Sequence, residues 1–180
     1  KRAYTVILTA GLTRNFILRV VDVRRFRGDS LKIIEEMFSV QSRYKPELFG
    51  IEHENIAKSI GPILREKMGR EGNPYINIKE LPPIHDKRKR AQSIRARIRA
   101  GKVEFNKKAS WYQEFESELL QFDRGAYADQ VDALAWLGIM LDNMVEVYSK
   151  TELEEEAYEE EFESSFDVFE ESGMNLYTGY

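Results

Sequence analysis

An α/β fold, a mixed sheet flanked by helices, is what this sequence predicts. Two observations carry it: β-branched runs near the amino end are joined by a short glycine-containing link, and runs of strand length then alternate with amphipathic runs of helix length. No internal repeat interrupts the order. The 180 residues suffice for one domain of ordinary size with a real core.

Taken in order, Tyr4 to Thr9 and Phe16 to Val23 read as a hairpin around Gly11. Asp29 or Ser30 caps a helix whose apolar positions Leu31, Ile34, Met37 and Phe38 keep helical spacing, and which ends before Pro46. Leu48 to Glu52 is a short buried strand ending on an acid. A helix from about Asn55 to Met68, interrupted at Gly61-Pro62, follows, then a strand at Tyr75 to Ile78 closed by Pro82-Pro83. A basic helix from about Lys87 to Ala100, a strand at Lys102 to Phe105, a helix around Trp111 to Leu120 and a last helix beginning near Asp129 complete the body.

That last helix holds the best clue to function. Asp129 and Asp132 stand three residues apart and share a helix face, while Val131, Leu134, Ala135 and Leu137 would pack on a core. Such a pair suits a divalent metal. It equally suits the first turn of a helix, where negative charge complements the dipole and caps the amides. Glu52 is a third candidate, because a carboxylate at a strand's carboxyl end sits where open α/β sheets bind ligands. Glu54 is weaker, one residue further from the strand. His53 and His85 could act as acid or base, although a lone histidine beside a strand end or in a loop is more often structural.

Charge is distributed unevenly. From Thr151 to Tyr180 there are eleven acids and no base, and removing those eleven charges from the net −4 leaves residues 1–150 at +7. A basic body suits a polyanion partner. The acidic segment reads as a solvated end or as a competitor for the same surface, and its aromatics Tyr158, Phe162, Phe166, Phe169 and Tyr177 suggest docking on a partner. The division expected is therefore 1–150 as the folded domain and 151–180 as an acidic tail. Lys87, Arg88, Lys89, Arg90, Arg95, Arg97, Arg99 and Lys102 put eight bases into sixteen residues, and Ala91, Ile94 and Ile98 form a narrow apolar stripe among them. Any one of these bases could be a solvated helix residue; together they favour phosphate contacts that position DNA without reading its sequence. Arg24, Arg25 and Arg27 could extend that surface.

Other classes are excluded or disfavoured. With no cysteine there is neither a disulfide framework nor a thiolate metal site. No apolar run approaches the roughly 20 residues of a membrane helix, and no signal peptide is visible, so a soluble, reducing compartment is expected. No G-x-x-x-x-G-K-[ST] loop occurs, so ATP hydrolysis is not expected of this chain.

Phosphodiester hydrolysis needs an activated water, neutralisation of transition-state charge and a stabilised leaving oxygen, and two divalent ions about 4 Å apart supply all three. Hard Mg²⁺ or Mn²⁺ prefers oxygen ligands and keeps several waters, so a few acids brought together suffice. Glu52, Asp129 and Asp132 are the candidates, with Glu52 bridging or holding one ion and the aspartates holding the other.

In chain order, Gly50-Ile51-Glu52, the basic run Asp86 to Arg90, Gly101 to Phe105 and Asp129-Gln130-Val131-Asp132-Ala133-Leu134-Ala135 look like the nuclease domain of the phage large terminase subunit, over about Ala3 to Leu141. The last motif is also similar to the end of bacterial Holliday-junction resolvases. The resemblance implies a ribonuclease-H-like fold, in which the hairpin here matches the second and third strands. The central first strand and its catalytic aspartate would lie upstream of Lys1, so that aspartate has no number here, and Asp22 is not a substitute for it. Ala128 stands where terminases often carry a further acid. The implied activity is metal-dependent endonucleolytic cutting of concatemeric double-stranded DNA in the host cytoplasm. The implied partners are DNA, an ATPase domain upstream in the parent chain, a portal and a small terminase subunit, with no membrane. A junction-resolving nuclease and a DNA- or portal-docking module with a defunct site are the alternatives.

Overall fold

Leu18, Val20 and Val23 recur with near-strand alternation, and all three are buried. They make Leu18–Phe26 (β2) the middle of a three-stranded sheet. Its partners are Thr5–Leu12 (β1), antiparallel, and Val103–Phe105 (β5), parallel, so the sheet is mixed. Phe49–Glu52 (β3) and Ile78–Leu81 (β4) form a second, parallel pair. The computed structural model describes residues 4–52, 58–81, 84, 86–122 and 128–144.

The helices are Ser30–Tyr44 (α1), Lys58–Met68 (α2), Lys87–Arg90 (α3), Gln92–Arg99 (α4), Tyr112–Leu120 (α5) and residues 129–144 (α6). Asp29 caps α1 by accepting from the Lys32 amide, and Lys45 in the left-handed region ends it one residue before Pro46. Ile34, Met37, Ile51, Ile60, Leu64 and Ile76 join α1, α2 and β3 in one core. Val131, Leu134 and Ala135 bury the apolar stripe of α6. A methyl group on Gly50 would meet Met140 Sδ and Leu81 Cδ1, so glycine lets β3 and α6 pack closely here. Gly138 similarly lets α6 approach Ile94 of α4. Among the described residues no helix is long and apolar enough to cross a membrane. Contact density divides the chain into Lys1–Met140 and Leu141–Tyr180; of the latter, only residues 141–144 are described.

The mixed α/β class predicted from sequence is what forms, but several elements differ. Gly11 lies inside β1 rather than at the turn, which is closed instead by Thr13, whose hydroxyl accepts from the Ile17 amide, and by Phe16 at φ 57°. A bulge between Thr9 and Ala10 takes up the extra residue. The Gly61-Pro62 pair does not interrupt α2. Strand β4 starts three residues later than its β-branched run, because Tyr75 to Asn77 form the approach, with Ile76 filling the core. The predicted basic helix is two helices, broken at Ala91 where ψ is −5°.

Candidate functional site

A cleft of about 310 Å³ runs between β1 and β3, with α1 and α6 contributing to its walls. Glu52, Asp129 and Asp132 all line it, although 77 residues separate the first two in sequence. Glu52 is the last residue of β3, and half-exposed. The two aspartates stand on the first turn of α6.

How α6 begins decides what those aspartates are free to do. Its N-cap is Ala128, whose carbonyl accepts from the Asp132 amide at 2.7 Å but whose side chain can cap nothing. The cap comes from Glu118 of α5. One of its carboxylate oxygens accepts from the Gln130 amide at 2.6 Å and the Val131 amide at 3.3 Å, and the other accepts from Gln130 Nε2 at 2.8 Å. Glu118 and Gln130 are buried, so these charge-assisted bonds hold the helix end firmly. Because Glu118 supplies the cap, the Asp129 and Asp132 carboxylates are not drawn into capping and line the cleft instead. Sequence reading missed Glu118, although it stands one turn from the fully buried Phe115, on the inward face of α5.

Arg90 is the other residue whose place was not foreseen. It was grouped with the DNA-facing bases, yet it is 6% exposed and its charge turns inward. Its guanidinium donates to Asp132 Oδ1 at 2.9 Å and to the Ile84 carbonyl at 2.5 Å, and it comes within 3.9 Å of Glu52 Oε1. It lies 5.2 Å from the centroid of the Trp136 ring, and its buried Nε has no hydrogen-bond partner among the described residues. The available signal was spacing: Arg90 precedes buried Ile94 by four and adjoins buried Ala91, so it shares their stripe. Lys87 Nζ reaches Asp132 Oδ2 at 3.3 Å from a half-exposed position.

Asp129 has its pKa raised above the ordinary aspartate value, first by burial and then by the charges of Glu118 and Asp132, against which Arg25 and Lys87 act. The donor set, three carboxylates, has the chemistry of a site for a hard divalent cation. The spacing is another matter: among the described residues no three acidic or histidine side chains are grouped closely enough to hold a metal ion. Instead the Arg90 guanidinium stands between Glu52 and Asp132 and neutralises them. A cation bound by both would have to take its place on Asp132.

Of the remaining bases, Arg88, Lys89, Arg95, Arg99 and Lys102 are exposed and Arg97 is half-buried. Asp86 caps α3 through the amides of Arg88 and Lys89 and so fixes the start of the basic segment. Arg24 is engaged with Asp22, Glu36 and Ser39, and Arg25 with Glu114, while Arg25 and Arg27 both lie over the Tyr4 ring. His53, Glu54, His85 and the acidic segment from Thr151 lie outside the described residues. No protein-family model matches the chain, and no curated protein matches it.

Proposed function

We propose that this chain is a metal-dependent endonuclease domain with a ribonuclease-H-like fold, cutting concatemeric double-stranded DNA as the nuclease part of a viral packaging terminase. One observation carries the reading: Glu52 from the end of β3 and Asp129 and Asp132 from the start of α6 line one cleft, next to a segment of exposed bases. Two Mg²⁺ or Mn²⁺ ions held by those carboxylates would supply the activated water and the charge neutralisation that phosphodiester hydrolysis needs. The chain's own residues bring the rest. Glu118 fixes the helix that presents the aspartates, and Arg95, Arg99 and Lys102 offer phosphate contacts. Asp129→Ala is expected to abolish Mn²⁺-dependent nicking of plasmid DNA while leaving DNA binding intact, because it removes no positive charge. Nicking at the unchanged rate would overturn the assignment.

A second reading, a DNA- or portal-docking module without catalysis, is favoured by Arg90, whose fixed charge can take the place of a cation. Manganese titration followed by paramagnetic resonance separates the two. Binding lost in Asp132→Asn supports the nuclease; no binding by the unaltered chain supports the docking module.

A further inference from the structure

We propose that the tip of the β1–β2 hairpin is a separate nucleic-acid contact, in which the ring of Phe16 stacks on an unpaired base while the end of the basic helix α4 holds the adjoining phosphates. Phe16 stands at φ 57°, in the left-handed region that a bulky side chain enters only at a cost. The turn does not need a ring there. Its bonds come from the backbone and from Thr13: the Phe16 amide donates to the Thr13 carbonyl at 2.9 Å, the Thr13 amide to the Ile17 carbonyl at 3.0 Å, and the Ile17 amide to the Thr13 hydroxyl at 3.1 Å. Glycine or asparagine would adopt the same conformation with less strain. Nor does the core need the ring, since Phe16 is 61% exposed and Leu12, beside the turn, 43%. A strained aromatic that serves neither the turn nor the core points to a ligand.

Charge says which ligand. Gly101, at φ 69°, closes α4 in a Schellman turn, its amide donating to the Ile98 carbonyl at 3.0 Å and the Lys102 amide to the Arg97 carbonyl at 2.9 Å. The Lys102 carbonyl in turn accepts from the Leu18 amide at 2.9 Å, so backbone bonds fix the helix end to the base of the hairpin tip. Phe16 lies two residues before Leu18. Around it Arg14, Arg99 and Lys102 are exposed, while Glu104 on the neighbouring strand is neutralised by Arg19 at 2.7 Å. An exposed ring among bases fits a single strand, whose bases are free to stack and whose phosphates run alongside. A paired base offers a groove only its edges.

This contact is distinct from the carboxylate cleft. No residue from Gly11 to Leu18 lines that cleft. Arg25, whose charge acts on Asp129, stands seven residues along β2 from Leu18, roughly 23 Å of strand at about 3.3 Å per residue.

The test measures the affinity of the whole chain, without added metal, for a mixed-sequence single-stranded DNA of about 12 nucleotides and for the blunt duplex of the same sequence. Phe16→Leu keeps the apolar bulk and removes the ring. It should weaken single-strand binding about tenfold and leave duplex binding unchanged, whereas Phe16→Trp should bind as tightly as the unaltered chain. Phe16→Gly should lose single-strand affinity likewise and yet melt no lower, because glycine adopts the left-handed conformation without strain. Equal single-strand affinity of Phe16→Leu and the unaltered chain would overturn the proposal and assign the ring to a protein partner. So would an equal loss on the duplex, a melting temperature lowered by Phe16→Gly, or no single-strand binding by the unaltered chain. The proposal rests on the reading of the exposed bases as phosphate contacts, not on catalysis, so absence of nicking leaves it standing. Alanine at Arg99 and Lys102 together should weaken both forms of DNA; unchanged affinity for both would overturn the phosphate reading and this proposal with it, whereas a failure of the Phe16 variants alone overturns the stacking and spares that reading.

Discussion

Arg90 and Arg95 are five residues apart in one basic run and face opposite environments. Arg90 is enclosed by Asp132, Glu52, the Ile84 carbonyl and the Trp136 ring; Arg95 is exposed on α4. The difference is one of helical position: Arg90 precedes Ile94 by four residues and adjoins Ala91, so it joins their buried stripe, whereas Arg95 lies outside it. A run of like charges is thus not one surface. Part of it counterbalances acids inside the molecule, and part remains available to an external polyanion.

The largest effect expected from that contrast is on stability. Arg90→Ala leaves Asp132 without its buried partner, a change that costs about 3 kcal/mol, whereas Arg95→Ala should stay within about 0.5 kcal/mol. Urea unfolding measures both, and equal losses would erase the distinction. DNA affinity should respond in the opposite sense. Replacing Arg95, Arg99 and Lys102 together by alanine should flatten the dependence of log affinity on log salt by roughly 0.9 per lost phosphate contact. Arg90→Gln, which removes the charge, should leave that slope alone, and a matching change there would put Arg90 on the DNA after all.

The smallest effect concerns Asp129. Its folded pKa is raised, so it favours folding below the unfolded aspartate value, and that contribution is lost as pH rises through the folded value. Asp129→Asn should therefore raise the melting temperature at neutral pH, by an amount that shrinks as pH falls through the raised folded value and vanishes below the ordinary aspartate value. A variant destabilised at neutral pH would show that the carboxylate is held by compensating contacts. The neighbouring charge of Lys87 should moderate the effect, so Lys87→Met is expected to enlarge it.

Local rules made much of the fold legible. Asp29 before an apolar stripe predicted α1 because N-capping depends on a few adjacent residues, whereas α6 was legible from its apolar run alone, its cap coming from Glu118 of α5. The hairpin and β3 were visible in their β-branched and apolar runs. Gly11 misled, since an open glycine is tolerated inside a strand when the turn chemistry is supplied by Thr13 and Phe16. The strand at Tyr75 was misplaced because burial of Ile76, not pairing, accounts for its composition.

By itself, the sequence determined the mixed α/β class, the positions of the strongly patterned elements and the identity of the three carboxylates that share a cleft. Tertiary structure alone decided that Glu118 caps a helix beginning eleven residues after it, that Arg90 turns toward Asp132 and Glu52, and that β1 and β3 line one cleft. The physical reason is range. Periodicity and capping are settled within one or two turns of chain, whereas the partner of a buried charge and the neighbour of a strand edge are chosen by whatever the completed fold brings near.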